Sequence, residues 1–510
     1  MITHGDTPPT RTHPPGRYGG PPRKGPTTIT PGRTPADRRA ALQRAARLRQ
    51  LPTTDHDLIR LAQEPLFPRW LQQVTATGGC AHPVHLTGHT TTHDPATGEV
   101  LHHYDTRCEP HERLLLRCRN RRAAVCPPCS RLHAGDTFHL VRAGLVGGKT
   151  VPPTVRDHPR LFVTLTAPSF GPVHRTTSDG KPCRPRRRGG ECEHGCPLGC
   201  SVVHTANGPM AGSPLCPGCY DYPAHVLWHA HTGRLWKAFT DNLYHHLATL
   251  TGRTRTGLRR TLRISYAKIA EYQQRGAVHV HAVVRLDGAD GPDSAAPRWA
   301  SAEMLTTAVR SAAAAVRLHT PYSAALGEYE LTWGAQLDAR PLRAFDTPDA
   351  LSDDAVAAYV AKYVTKSATE TAGGLDYRII SRDDIQTATV PHHTRALMMT
   401  CWRLGGQPEY AHLRLRAWAH TLGYRGHILT KSRTYSTSYG ALRAERAEHR
   451  HDGETVRGEL STATDASWRY AGSGHSLGAA LLAAGIAEDL ATNRELAREA
   501  LAGDRGRPAG

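Results

Sequence analysis

Residues 275–288 read RGAVHVHAVVRLDG, and this run restricts what the 510-residue chain can fold into. On a strand, successive side chains point to opposite faces. That puts His279, His281, Val283 and Arg285 on one face, and Val278, Val280, Ala282, Val284 and Leu286 on the other. The second face is wholly apolar and has to be covered by a further layer of structure. The first presents two imidazoles about 6–7 Å apart, close enough to converge on one cation. Imidazole suits Mn, Zn and Cu, and Mg²⁺ accepts it where oxygens complete the shell. The alternative is an ordinary strand in a chain with 32 histidines.

The preceding TLRISYAKIAEYQQ reads as a partner strand, with the turn at Arg275-Gly276. Such a hairpin brings Glu271 alongside the pair. His279, His281 and Glu271 then form an open three-ligand set for Mg²⁺ or Mn²⁺, with room for a phosphate oxygen; otherwise Glu271 faces solvent. Downstream, DDAVAAYVAKYVTK (353–366) reads as a helix, with Asp353 and Asp354 in its first turn, where carboxylates meet the dipole. At 3.6 residues per turn, Tyr359, Lys362, Tyr363 and Lys366 share an arc of about 100°. Ala357, Val360, Ala361 and Val364 lie opposite. Tyrosines and lysines of this kind can be plain surface. Chemically they also suit one reaction. A tyrosine hydroxyl can attack a phosphodiester and leave a 5′-phosphotyrosine and a free 3′-OH. A metal would polarise that phosphate. Lys362 and Lys366 would steer the phosphate or stabilise the phenolate, and a second tyrosine could attack the next junction.

Lys and Arg outnumber Asp and Glu by 64 to 45, a net charge of +19, which points to a polyanion such as DNA. Apolar runs are too short to span a bilayer, and residues 1–40 lack the apolar core of a signal peptide, so the expectation is a cytoplasmic protein without membrane contact. Eleven of the 12 cysteines fall between Cys80 and Cys219, which in a reducing compartment points to metal rather than disulfides. Cys126-Pro-Pro-Cys129 and Cys216-Pro-Gly-Cys219 are knuckles of the sort that hold structural zinc. Cys108 and Cys118 would complete the first site. Cys192 and Cys200 would complete the second, with Cys196, His194 and His204 as rivals. Cys80, Cys183 and Cys401 are left unassigned.

The organisation expected is a disordered basic tail over 1–54 and a Cys/His-containing region over 55–150. A nicking domain follows over 151–370, with a Cys-rich insertion at 171–222. Residues 371–450 form a basic DNA-binding extension, and 451–510 a linker and terminal helix. Expected DNA contacts are Arg285, Arg425, Lys431 and Arg433. GLVGGKT (144–150) falls short of a phosphate-binding loop, because Ala143 stands where the first glycine is required.

The H-V-H run followed by Y-V-A-K-Y-V-T-K resembles the HUH endonuclease superfamily, in particular rolling-circle replication initiators. FVTLTAP (162–168) resembles their first motif, GAVHVHAVVRLDG the second and AAYVAKYVTK the third. The likeness is greatest to RepSA-type initiators of actinobacterial plasmids and integrative elements, and spans most of residues 75–445. The resemblance implies an α+β fold: a ferredoxin-like antiparallel sheet with flanking helices, the histidines on a central strand and the tyrosine helix beside it. It implies a metal-dependent, site-specific endonuclease that nicks and rejoins one strand at an origin, with His279 and His281 as ligands. Tyr363 is the first nucleophile implied, and Tyr359 a second nucleophile or positioning group. Unwinding and synthesis would fall to a host helicase and polymerase, and the protein could oligomerise on DNA. Other readings are an HUH transposase, a relaxase (although those place the tyrosine before the histidines), or a non-catalytic zinc-bearing DNA-binding protein.

Overall fold

The HVHAVV run forms the middle strand of five. The computed structural model describes residues 39, 43, 46 and 51–505, apart from 178–179, 187–188, 206–207, 343–351, 367–372 and 452–461. The expected tail over 1–54 lies almost wholly outside the described residues, and a helix, Thr53–Ala62, starts within its last two positions. The chain forms two units, residues 133–443 and residues 1–132 with 444–510.

In the first of these, the strands are β1 (Arg160–Leu165), β2 (Arg263–Tyr272), β3 (Val278–Asp287), β4 (Leu337–Pro341) and β5 (Leu429–Lys431). They pair in the order β5-β2-β3-β1-β4, antiparallel throughout. The β2–β3 turn needs Gly276, whose φ of 78° is open to glycine at little cost. Four helices matter for the site: α1 (Tyr222–Leu250), α2 (Ala302–Ala314), α3 (Asp353–Val364) and α4 (His392–Leu404). The apolar face of β3 is buried together with Leu227, Leu235, Phe239 and Leu243 of α1 and Leu305 and Val309 of α2. Helix α3 lies on the histidine face, so the sheet is covered on both sides. The structure is thus the expected mixture of helices and an antiparallel sheet. The strand expected near 328–333 is only Glu330–Leu331, paired with Leu318–His319; the edge of the main sheet is β4 instead.

In the other unit, Val84–His93 pairs with Val100–Asp105, Leu114–Leu116 and, over its full length, Ala463–Ser473. Leu61, Trp70, Val74 and Leu115 share a small core with Ala479 and Ala483 of the helix Leu477–Arg505. The stretch read as linker and terminal helix therefore contributes a strand and core residues to the N-terminal region. No described helix is long and apolar enough to cross a membrane.

Buried histidines tie α1 and α4 to the sheet. His229 donates from Nδ1 to the Leu422 carbonyl (2.8 Å), and its Nε2 accepts from the Val278 N–H (3.1 Å). His393 donates from Nε2 to the Arg275 carbonyl (3.0 Å). Burial pushes both down to about 4, and His225 well below its usual range. In the unfolded chain these groups titrate near about 6.5, so the unfolded state takes up more protons and stability falls as pH drops from there towards 4. By pH 5 the loss should be about 2 kcal/mol for each of His229 and His393. Urea midpoints measured at pH 7 and pH 5 check this, and His393→Gln should flatten the dependence.

Candidate active site and metal centres

The site is built on strand register. Glu271 on β2 stands across from His279 on β3, and His281 across from Thr164 on β1. His281 is buried; its Nδ1 meets the Thr164 hydroxyl at 3.0 Å and its Nε2 meets Glu271 Oε2 at 3.0 Å. Phe162 stacks on the His281 ring at 5.8 Å, with 3° between the planes, and fixes its orientation. The hydroxyl of Tyr359, from α3, reaches both Glu271 Oε2 and His281 Nε2 at 3.2 Å. His279 is adjacent, with its ring 6.1 Å from that of His281, and burial lowers its basicity to about 4.

Helix α3 separates its faces as its sequence suggests: Val356, Ala357, Val360, Ala361 and Val364 are buried, and Lys362 is exposed. The Tyr363 ring lies 4.5 Å from that of Tyr359, with Lys366 Nζ at 4.8 Å and Lys362 Nζ at 5.7 Å from its centre. Burial beside the Glu271 carboxylate pushes the Tyr359 phenol above its usual range, and burial raises Tyr363 as well. A phenolate here therefore needs cations near it. Ser352 caps the helix by accepting from the Ala355 N–H (3.1 Å). The helix is fixed by Arg160 on Asp353 (3.0 Å) and Arg142 on Asp354 (2.7 Å). Sequence reasoning missed Phe162, Thr164, Arg160 and Arg142 as parts of the site. The signal was present for Phe162 and Thr164, which alternate on β1 as the histidines do on β3.

The ligand atoms of His279, His281 and Glu271 are not all within 4.8 Å of one another, unlike those of the three cysteine-containing clusters found among the described residues. Two imidazole nitrogens and one carboxylate could hold a divalent ion in a shell that leaves positions open for other ligands.

Of the four expected DNA contacts, Arg285 is corrected. It is fully buried, donates from Nε to Asp287 Oδ1 (2.6 Å) and from Nη2 to Oδ2 (3.0 Å), and donates to the Gly144 carbonyl. A strand face that begins at an open site runs, four residues on, beneath packed chain, so Arg285 cannot meet a phosphate. Lys431 is half-buried and donates to the carbonyls of Ser436 (2.8 Å) and Ser432 (3.3 Å). Arg425 and Arg433 are exposed.

The first cysteine cluster is Cys80, Cys118, Cys126 and Cys129, so Cys80 takes the place expected for Cys108. Cys108 ends a short 3-10 turn and is exposed, whereas Cys80 follows the Gly78-Gly79 turn into the buried cluster. Cys80 Sγ lies 3.8 Å from Cys126 Sγ and 3.6 Å from Cys129 Sγ. Tetrahedral zinc with four thiolates spaces sulfurs by about 3.8 Å. The second cluster is Cys192, His194, Cys216 and Cys219, so His194 replaces Cys200, which lies with His174, Cys183 and His204. These clusters could hold zinc.

Truncating one partner of a buried ion pair typically costs about 3–5 kcal/mol. Arg285→Ala should lower the urea-unfolding free energy by that amount; unchanged stability would contradict the buried pairing.

Comparison with known proteins bears on what this constellation serves. A family model described as the replication initiator protein of pSAM2, RepSA, matches residues 66–488. A replication initiator protein from Streptomyces ambofaciens is 47% identical over 460 residues, covering 88% of this chain and 96% of its own length. No solved structure matches the chain. A match over most of the sequence, together with that identity, places the chain in the RepSA family of replication initiator proteins.

Proposed function

We propose that this replication initiator binds DNA at an origin, nicks one strand with a tyrosine and later rejoins it. The observation that carries the reading is the convergence of Tyr359, Glu271 and His281, with the Tyr363 ring packed against Tyr359 beside two ammonium groups. A divalent ion held by His279, His281 and Glu271 would supply Lewis-acid polarisation of the scissile phosphate. Tyr363 attacks the phosphorus through its phenol oxygen, and the bond from phosphorus to the 3′ oxygen breaks. The products are a 5′-phosphotyrosine and a 3′-OH that serves as the primer for rolling-circle synthesis. The Tyr363 proton passes to solvent or the departing 3′ oxygen, while Lys362 and Lys366 offset the phenolate charge. Tyr359, held by Glu271 and His281, orients the phosphate or acts as the second nucleophile. Rejoining is the reverse step, with a 3′-OH attacking the phosphotyrosine.

DNA enters as a single strand at the nick. Arg425 and Arg433, exposed on the basic extension, contact phosphates, and a host helicase and polymerase complete replication in the cytoplasm. Family membership favours initiation over transposition or conjugative transfer by the same chemistry.

The test uses the purified protein, Mn²⁺ and its own element's DNA, single-stranded and supercoiled, with products on a denaturing gel. A covalent protein–DNA band is expected, lost in Tyr363→Phe and reduced at least about 10²-fold in His281→Ala, in line with loss of a group acting on the reacting phosphate. Tight DNA binding with no covalent band on any substrate would leave a non-catalytic binding protein. Arg433→Ala should weaken DNA binding and shallow its salt dependence by about one unit of slope, with no change in Tm.

A further inference from the structure

The insertion after β1 holds two of the three clusters, and their ligands alternate along the chain. His174 and Cys183 belong to one cluster and Cys192 and His194 to the other; Cys200 and His204 return to the first, and Cys216 and Cys219 to the second. We propose that His174, Cys183, Cys200 and His204 bind a zinc ion of their own, and that the two interleaved sites make residues 174–219 one binuclear zinc module that loads cooperatively.

The geometry of the new site is that of a metal shell. Its four ligand atoms lie within 4.8 Å of one another. His204 Nε2 is 3.1 Å from His174 Nδ1 and 3.3 Å from Cys200 Sγ, and Cys183 Sγ is 3.8 Å from His174 Nδ1. Zinc–nitrogen and zinc–sulfur bonds of about 2.0 and 2.3 Å at tetrahedral angles give edges of about 3.3–3.8 Å, the same spacing. Hydrogen bonding alone accounts poorly for it, since each ring nitrogen faces two partners at once. The N–H of Arg175 donates to Cys183 Sγ (3.2 Å), the outer contact expected around a thiolate ligand.

The described residues of the segment have little regular structure to hold them. Between His174 and Cys219 no described residue forms a helix or a ladder longer than isolated bridges, such as Arg184 with Cys200 and Glu191 with Pro197. Of its apolar side chains, Val202, Val203 and Met210 are exposed, while Leu198 and Leu215 are half-buried. In a chain of this kind metal binding contributes directly to folding.

Interleaving then makes the two ions interdependent. Closing the loop from His174 to His204 fixes Cys192 and His194 inside it, and closing Cys192 to Cys219 fixes Cys200 and His204. Whichever ion binds first removes much of the loop-closure entropy that the second would otherwise face.

The full-length protein tests this by metal analysis. Wild type should contain three zinc ions per chain, and X-ray absorption should give an average shell of three sulfurs to one nitrogen, from nine cysteines and three histidines. Cys200→Ser should lose its own ion, and the ion at Cys192, His194, Cys216 and Cys219 should pass to a competing chelator at least about tenfold more readily, equivalent to about 1.4 kcal/mol. Cys219→Ser should act reciprocally. Cys80→Ser should lose one ion and leave chelator competition at the insertion unchanged. Two zinc ions in wild type, with a shell richer in sulfur, would overturn the third site whatever the variants do. Loss of one ion in Cys200→Ser with unaltered affinity at the other would overturn the cooperative module.

Discussion

Glu271 faces His279 across a two-strand hairpin, and the candidate site depends on that register. A slip of β3 by one residue would turn His279 and His281 away from Glu271 into the apolar layer and expose the valines between them. Val278, Val280, Ala282, Val284 and Leu286, all buried against α1 and α2, oppose the slip. The hydrophobic face of β3 therefore does the positioning, and the polar face receives a rigid arrangement as a consequence. Phe162 and Thr164, on the neighbouring strand, then set the plane and the hydrogen bonding of the His281 ring.

Beneath the site lies a layer of buried charge. Arg285 pairs with Asp287, which also meets His158 Nδ1 at 2.8 Å and the Ser265 hydroxyl at 2.6 Å. Arg160, buried beside them, donates to the Leu145 carbonyl and to Asp353 at the start of α3. Buried ions are poor sources of net stability but restrict how elements can pack. Here they tie the tyrosine helix to the strand that flanks the histidines, and so hold the two halves of the site in one geometry.

Much of this was legible because the periods of strand and helix are strict. Alternation in RGAVHVHAVVRLDG placed the histidines, and the 3.6-residue period placed Tyr359, Lys362, Tyr363 and Lys366 on one face. Other features carry no local signal. Strand β4 reads LDARP, charged and ending in proline, and is a strand only because β1 has an open edge there. The strand Ala463–Ser473 pairs with residues nearly four hundred positions earlier, which no local window reveals. Arg285 has the same place in the alternation as the histidines, and only the packing of later chain over that end of β3 separates core from site. The cysteine partners failed for a related reason. Spacing identifies the C-x-x-C knuckles but says nothing of which distant residues return to them, so it leaves Cys80 unassigned and offers His194 only as a rival to Cys200.

The claim at the centre of the account is that the tyrosine-bearing face of α3 attacks DNA. Trypsin cuts after Lys362 and Lys366, so it releases Tyr363 and Tyr359 on separate peptides. Mass spectrometry of protein that has reacted with origin DNA, after nuclease and trypsin digestion, locates the attached nucleotide. The account predicts it on Tyr363-Val-Thr-Lys366. A nucleotide on the peptide ending at Lys362 would move the first attack to Tyr359, and one on neither peptide would contradict the account.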